Sequence, residues 1–347
     1  MSANTWRQWL RWLAPVALLA VLAVAFRNEL GFLSEAFVAL RRAVATSPGP
    51  LVGAVIGAFG AIFAMAAVMM ILLNVDAPRT NMMRTVALTL GSNAWSTSVP
   101  GGPALSAWLT YRVQRSWGAS NGLCGWFFVI SGALSTVWMV LIGLVAVVFL
   151  GASLSATTLV STLALTLLVI AGMFWATRNP DILTRWARYL PPSVRDRVTN
   201  VIQQVSQIRM STGQFVTAAF FSLCNRLLDL VVLFFCVWAV LGTPPGTQPG
   251  LNEASLMGVT LAFIMTKLAG AAQVTPGGVG TVEAAAAASL VAAGMSLVDA
   301  TAATLIYRII SFVLITAIGW VVHIVCYAGR GYMLGAPSRS GSESGEQ

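Results

Sequence analysis

The chain alternates long apolar runs with short polar segments. Because about 20 helical residues cross the hydrocarbon core of a bilayer, the runs near this length predict six membrane-spanning helices. They occupy Trp12–Phe26, Leu51–Val75, Leu123–Phe149, Ala156–Ala176, Phe215–Leu241 and Leu297–Val325. Two interpretations of the short first run stay open. The tryptophans at 6, 9 and 12 favour a helix anchored at the membrane interface, and the alternative is a cleaved signal peptide.

Two further apolar segments are each interrupted by the triplet Pro-Gly-Gly. The triplet at 100–102 divides the segment 85–117, and the triplet at 276–278 divides the segment 256–294. Proline and glycine disfavour a continuous helix, and each remaining arm is short for a full crossing. Because broken backbone at membrane depth must be buried in protein or line a wet cavity, we interpret both segments as re-entrant hairpins.

The spacing of these triplets indicates an internal duplication. They lie 176 positions apart, from Pro100 to Pro276, and each is followed at the same distance by Gly-x-Ser, at 118–120 and 294–296. The predicted units are residues 1–150 and 151–330, followed by a disordered cytoplasmic tail at 331–347. Each unit has three crossings and one hairpin, and an odd number of crossings inverts the second copy. The predicted fold is an all-α polytopic membrane protein with an inverted repeat.

Composition and charge placement agree with a membrane location. The chain is 57% hydrophobic and only 9% charged, whereas soluble domains carry about 25% charged residues. Arginines cluster in the segments predicted to be cytoplasmic, while the predicted outer loops 151–155 and 242–255 have no Lys or Arg. This bias predicts a cell-membrane protein with both termini in the cytoplasm. It also explains the net charge of +9 without a nucleic-acid partner.

The segment Arg27–Pro50 is the exception to the charge bias, since it lies outside in this topology and still carries arginines. Its apolar and charged positions alternate as in an amphipathic helix, so we predict a helix lying on the outer membrane surface. The single histidine, His323, and four dispersed cysteines have no metal-ligand spacing. We therefore expect neither a metal nor a cofactor.

Five charged residues fall inside apolar segments: Arg226, Asp229, Lys267, Glu283 and Arg308. Each costs about 2.5–3.5 kcal/mol at the centre of a membrane helix, so each needs a partner or a function. Arg226 and Asp229 share a helix face at i, i+3 and can pair, and Arg308 can pair with Glu283. Such pairs could simply stabilise the fold. Alternatively, three bases against two acids leave one positive charge to bind an anionic head group.

The predicted substrate-binding residues combine these charges with the two breaks and one arginine of the first hairpin. They are Pro100, Gly101, Gly102, Arg112, Arg226, Asp229, Lys267, Pro276, Gly277, Gly278, Gly280, Glu283 and Arg308.

The sequence from Val274 to Glu283, followed by the Gly-x-Ser at 294–296 and by Tyr307-Arg308, resembles a known membrane family. The segment from Ser98 to Ser120 fits it as well. The family is the lysylphosphatidylglycerol synthase transmembrane region, also called the flippase-like family. The resemblance implies a polytopic lipid translocase, with envelope-lipid synthesis enzymes as partners. No aminoacyl transfer is expected, because that chemistry belongs to a separate domain of the synthases.

The leading hypothesis is therefore a lipid or glycolipid flippase that moves an anionic or isoprenoid-linked envelope lipid, and not an enzyme. Two alternatives stay open. One is a membrane-embedded enzyme with Glu283 as general base beside Lys267 or Arg308. The other is a scaffold of an envelope-lipid synthesis complex that transports nothing.

Overall fold

A computed structural model describes residues 32–99, 101–149, 210–246, 254–272 and 275–327. Within these ranges the secondary structure is entirely helical. The α-helices are α1 Phe32–Thr46, α2 Pro48–Leu73, α3 Met82–Ser98, α4 Gly102–Ser116, α5 Asn121–Phe149, α6 Thr212–Leu241, α7 Leu256–Ala272, α8 Thr281–Ala292, α9 Leu297–Arg308 and α10 Ile315–Cys326.

The described residues include four helices that are long and apolar enough to cross a membrane. They are α2, most of α5 (Asn121–Val145), α6, and the continuous helix from Leu297 to Cys326 that comprises α9 and α10. These confirm four of the six predicted crossings. The runs Trp12–Phe26 and Ala156–Ala176, like the tail at 331–347, lie outside the described residues.

Helix α1 lies within the predicted surface segment Arg27–Pro50 and packs against α2 and α9. Ala43 is buried in the core, whereas Val38 is 65% exposed. The helical part of this prediction is confirmed.

Helices α2 and α6 share the most extensive helix–helix contact in the described part of the chain, and small residues on α2 make the approach possible. A Cβ on Gly53 would lie 2.9 Å from the ring of Phe235, and one on Gly57 would lie 3.2 Å from Val232. The contact positions rise along α2 as they fall along α6, so the two helices are antiparallel. Close packing through small residues is typical of membrane helices.

Each Pro-Gly-Gly separates two helices that pack against each other, α3 with α4 and α7 with α8. The central glycines have nearly the same left-handed backbone, with φ and ψ of 69° and 15° at Gly101 and 62° and 10° at Gly277. Glycine adopts this conformation without the steric cost that a Cβ brings. The helix breaks are therefore confirmed, and the two Pro-Gly-Gly triplets have nearly the same backbone conformation at their central glycine.

The Gly-x-Ser segments also repeat their local structure. The amides of Ala119 and Met295 each donate to the carbonyl five residues earlier, at 3.1 Å, after a glycine with positive φ. This arrangement closes the C-terminus of a helix. Ser120 and Ser296 then each accept a hydrogen bond from the amide three residues later, at 3.1 Å, and so start the next helix. One short motif ends α4 and α8 and begins α5 and α9.

The last membrane helix is irregular at its centre. Residues Ile309–Leu314 form a π-helical segment directly after Arg308. Such widened turns are frequent at functional sites. Here the irregularity separates α9, which carries Arg308, from α10, which packs against α3.

Polar side chains attach α3 to α10. Trp320 donates its indole N–H to Ser98 Oγ at 2.9 Å, and the hydroxyls of Thr97 and Thr316 lie 2.9 Å apart. Trp95 donates to Nε2 of the fully buried His323 at 3.2 Å. The end of α3, immediately before the first break, is thus hydrogen-bonded to α10.

Candidate functional site

A cavity of about 370 Å³ lies between helices of both halves of the chain. Its walls come from α2, α3, α6, α7, the second break and the region around Arg308. The described lining residues are Ala58, Ala61, Ile62, Met65, Thr89, Asn93, Thr97, Asn225, Asp229, Thr266, Lys267, Gly270, Gly277, Val282, Tyr307, Arg308, Ser311, Phe312 and Ile315.

Arg308 connects the second break to the last membrane helix. Its Nε lies 2.5 Å from Glu283 Oε1, and its Nη2 donates to the carbonyl of Gly277 at 2.9 Å. The side chains are only 7% and 15% exposed at Arg308 and Glu283. The guanidinium carbon also lies 4.1 Å from the ring centroid of Phe312, a favourable cation–π contact for a desolvated cation.

Glu283 lies in the first turn of α8, where its Oε2 accepts a hydrogen bond from the amide of Gly280 at 2.7 Å. A carboxylate is electrostatically favoured at this end of a helix. Both of its oxygens therefore have donors: Arg308 on one side and the helix terminus on the other.

A second ion pair joins α6 to α7. Lys267 Nζ lies 2.7 Å from Asp229 Oδ2, with the side chains 26% and 22% exposed. The ammonium also lies 5.2 Å from the ring centroid of Phe263. Both residues line the cavity.

The predicted pairing of Arg226 with Asp229 is wrong. Asp229 instead pairs with Lys267 of α7, and Arg226 donates through Nη2 to Ser135 of α5. Residues at i, i+3 differ by about 60° around a helix, which is enough for the two side chains to point toward different neighbouring helices. Arg226 is not among the described lining residues of the cavity.

An uncharged polar wall also lines the cavity, and the sequence predictions did not include it. Thr89, Asn93 and Thr97 line the cavity from α3. Their spacing of four residues places them on one helix face. This repetition of polar residues within an apolar segment is the sequence pattern from which the polar wall could have been predicted. Asn225 adds an amide from α6, whose Nδ2 donates to the Ala61 carbonyl at 2.8 Å.

The structure brings together only part of the predicted site. Asp229, Lys267, Gly277 and Arg308 line the cavity, and Glu283 joins it through Arg308. Gly101, Gly102, Gly278 and Gly280 lie at the breaks but are not among the described lining residues, while Pro276 opens the 3₁₀ turn of the second break. Pro100 lies outside the described residues.

Arg112, predicted as a site residue of the first hairpin, is placed apart from the cavity lining. It lies on α4, and its guanidinium carbon is 5.1 Å from the ring centroid of Trp108 on the same helix. It is not among the described lining residues of the cavity. Within the described ranges, no group of three or more His, Cys, Asp or Glu side chains could hold a metal ion.

Apolar spanning helices around a cavity with two ion pairs define a multi-pass membrane protein with a polar intramembrane site. The model of the family described as the lysylphosphatidylglycerol synthase TM region matches residues 11–319, and the chain belongs to this family. The resemblance seen in the Pro-Gly-Gly segments is thereby confirmed. No curated protein and no solved structure matches the chain.

Proposed function

We propose that this protein is a lipid flippase of the cell membrane, and that the central cavity receives the lipid head group during translocation. The observation that carries the proposal is the placement of two ion pairs in one cavity inside apolar helices. Charged groups at membrane depth are costly and mark transport pathways. The family membership is compatible with a lipid-related transporter.

The arrangement of the two breaks supports alternating access. We propose that α3–α4 and α7–α8 are re-entrant hairpins of an inverted repeat, entering from opposite membrane faces. In support, α3 runs antiparallel to α10: an added Cβ on Gly91 would lie 3.6 Å from Tyr327, just after the end of α10, while Thr97 further along α3 contacts Thr316 near its start. Helices α7 and α8 instead meet beside the start of α9, where Gly258 adjoins Ala293. Inverted repeats around a midplane site are typical of alternating-access transporters.

The charge bias of the loops orients this arrangement. We propose cytoplasmic N- and C-termini, with the loop between α2 and α3 on the cytoplasmic side and the loop after α6 outside. Arg79 and Arg84 flank the first of these loops, while the described residues after α6, Gly242–Gly246, carry no charge. This agrees with the positive-inside rule.

The proposed substrate is an anionic or isoprenoid-linked envelope lipid, delivered by envelope-lipid synthesis enzymes as partners. Arg308 keeps guanidinium donors beyond those used by Glu283 and Gly277, and these donors can bind oxygen atoms of a head group. The alternative of a membrane-embedded enzyme is less well supported. Glu283, the proposed base, already accepts hydrogen bonds at both oxygens.

Reconstitution separates these functions. Purified protein in liposomes with fluorescent lipids is expected to move lipid between leaflets without changing it chemically, as measured by quenching of outer-leaflet fluorescence. The variant Lys267→Met is expected to lose this activity. Arg84→Gln is the matched control, since Arg84 is an exposed cation at the start of α3 outside the cavity. Chemical conversion of the lipid would indicate an enzyme, and neither movement nor conversion would indicate a scaffold.

A further inference from the structure

We infer that the part of the head group seated between the two ion pairs is uncharged and rich in hydroxyls, as in a sugar or a polyol. The inference rests on the proposed function, because it names the substrate class of the same cavity. This head group differs from the one that the sequence suggested, an anionic group bound by an excess positive charge.

The first argument is charge balance. Among the described lining residues the cations are Lys267 and Arg308, and each has an acid within 2.7 Å. The third cation, Arg226, is half-buried, donates to Ser135 and is not among the described lining residues. A phosphate beside these cations would also lie near the Asp229 carboxylate, and Glu283, although not among the described lining residues, already occupies one side of Arg308. Because each cation already has an acidic partner, its attraction for an anion is reduced, whereas a neutral group meets no repulsion from the carboxylates.

The second argument is the mixture of donors and acceptors. Lys267 uses one of its three N–H donors on Asp229, and Arg308 uses two of its five on Glu283 and Gly277. Asp229 keeps an oxygen that can accept, because Lys267 contacts Oδ2. Phosphate oxygens only accept hydrogen bonds, so they would leave the acceptors of the cavity unmatched. Hydroxyl groups donate and accept, and they match both kinds of group.

The third argument comes from the uncharged wall. Thr89 is 7% exposed, and its hydroxyl has no hydrogen-bond partner within the described part of the chain. One turn further along α3, the side chain of Asn93 makes no hydrogen bond to described residues either. An amide and a hydroxyl left without partners beside a cavity cost free energy unless a ligand or water satisfies them. They line the same cavity as the ion pairs, so hydroxyl groups in it can bind both kinds of side chain.

The test measures binding to the full chain in detergent, using lipids with the same acyl chains. The three probes are monoglucosyl diacylglycerol, phosphatidylglycerol and phosphatidylethanolamine, which are neutral, anionic and zwitterionic. We expect the glucosyl lipid to bind most tightly by native mass spectrometry. Asn93→Leu is expected to weaken its binding about tenfold, the loss of one or two hydrogen bonds. Thr136→Val is the matched control, since Thr136 is exposed on α5 and bonds its own helix.

The outcomes are distinct. Equal or tighter binding of phosphatidylglycerol, or no effect of Asn93→Leu on glucosyl-lipid binding, would overturn the inference. If the glucosyl lipid binds through Asn93 but is not moved in liposomes, the proposed flippase function fails and the assignment of the head group stands. If lipids are moved regardless of head group, the function stands and this inference fails. If Asn93→Leu does not fold, Thr89→Val gives the same comparison with a nearly isosteric change.

Discussion

Gly277 lies against the carbonyl oxygen of Thr97, so that a Cβ added to Gly277 would be 2.7 Å from that oxygen. The same Cβ would lie 2.5 Å from the ring of Phe312. The second break therefore touches the end of α3, just before the first break. Because Gly277 has no side chain, the two backbones can approach each other closely.

This contact predicts different effects for two equivalent glycines. Gly101→Ala and Gly277→Ala both place a Cβ on a left-handed residue, at a cost of about 1–2 kcal/mol. Only Gly277→Ala also collides with Thr97 and Phe312, since nothing lies within 4 Å of a Cβ on Gly101. Overpacking adds about 1–3 kcal/mol. We expect a lower melting temperature for Gly277→Ala than for Gly101→Ala in detergent. Equal melting temperatures would show that the two breaks do not touch.

The Arg308–Glu283 pair gives a second prediction. Arg308→Gln strands a buried carboxylate, a loss of about 3–5 kcal/mol, while neutralising both residues together is often nearly neutral for stability. We expect the double variant Arg308→Gln with Glu283→Gln to recover stability, as measured by thermal unfolding, and to remain inactive in lipid transport. An active double variant would show that the pair only stabilises the fold.

Arg308→Lys tests the fork geometry of the guanidinium. Arg308 reaches Glu283 through Nε and the Gly277 carbonyl through Nη2, whereas an ammonium is a single point charge. We expect Arg308→Lys to keep the positive charge but to lose most transport activity in liposomes. Full activity of this variant would mean that charge alone is sufficient at this position.

A double-mutant cycle tests the partner of Asp229. Removing Asp229 and Lys267 separately and together should give a coupling free energy of about 1–3 kcal/mol, as expected for residues in direct contact. The matched cycle of Asp229 with Arg226 should give a smaller coupling free energy, because the two side chains do not form an ion pair. Both cycles can be measured by unfolding in denaturant. A larger coupling to Arg226 would mean that Asp229 pairs with Arg226 on α6 and not with Lys267 on α7.

Cysteine labelling tests the proposed orientation. Ala77 and Thr243 are both exposed, in the loops after α2 and α6. In a cysteine-free background, we expect Thr243→Cys to react with an impermeant maleimide on intact cells, and Ala77→Cys to react only after permeabilisation. The reversed pattern would invert the topology.

The amino-acid sequence by itself determined the elements and their ends. Apolar runs of membrane length predict α2, α5, α6 and the helix formed by α9 and α10 because their lengths match the bilayer. The two Pro-Gly-Gly breaks follow from local backbone chemistry, as do the helix starts at Ser120 and Ser296. The breaks and the helix starts depend on neighbours within five positions, so the order of residues is enough to predict them.

Only the tertiary structure decided which charged groups meet. The spacing of Arg226 and Asp229 allowed a pair, but the rotation of α6 directs Asp229 to Lys267, 38 positions away. The cavity likewise combines Asn93 of the first half with Arg308 of the second. A pattern along one helix shows which residues share a face. What that face contacts depends on how distant helices pack, and packing is decided by the side chains of all the helices together.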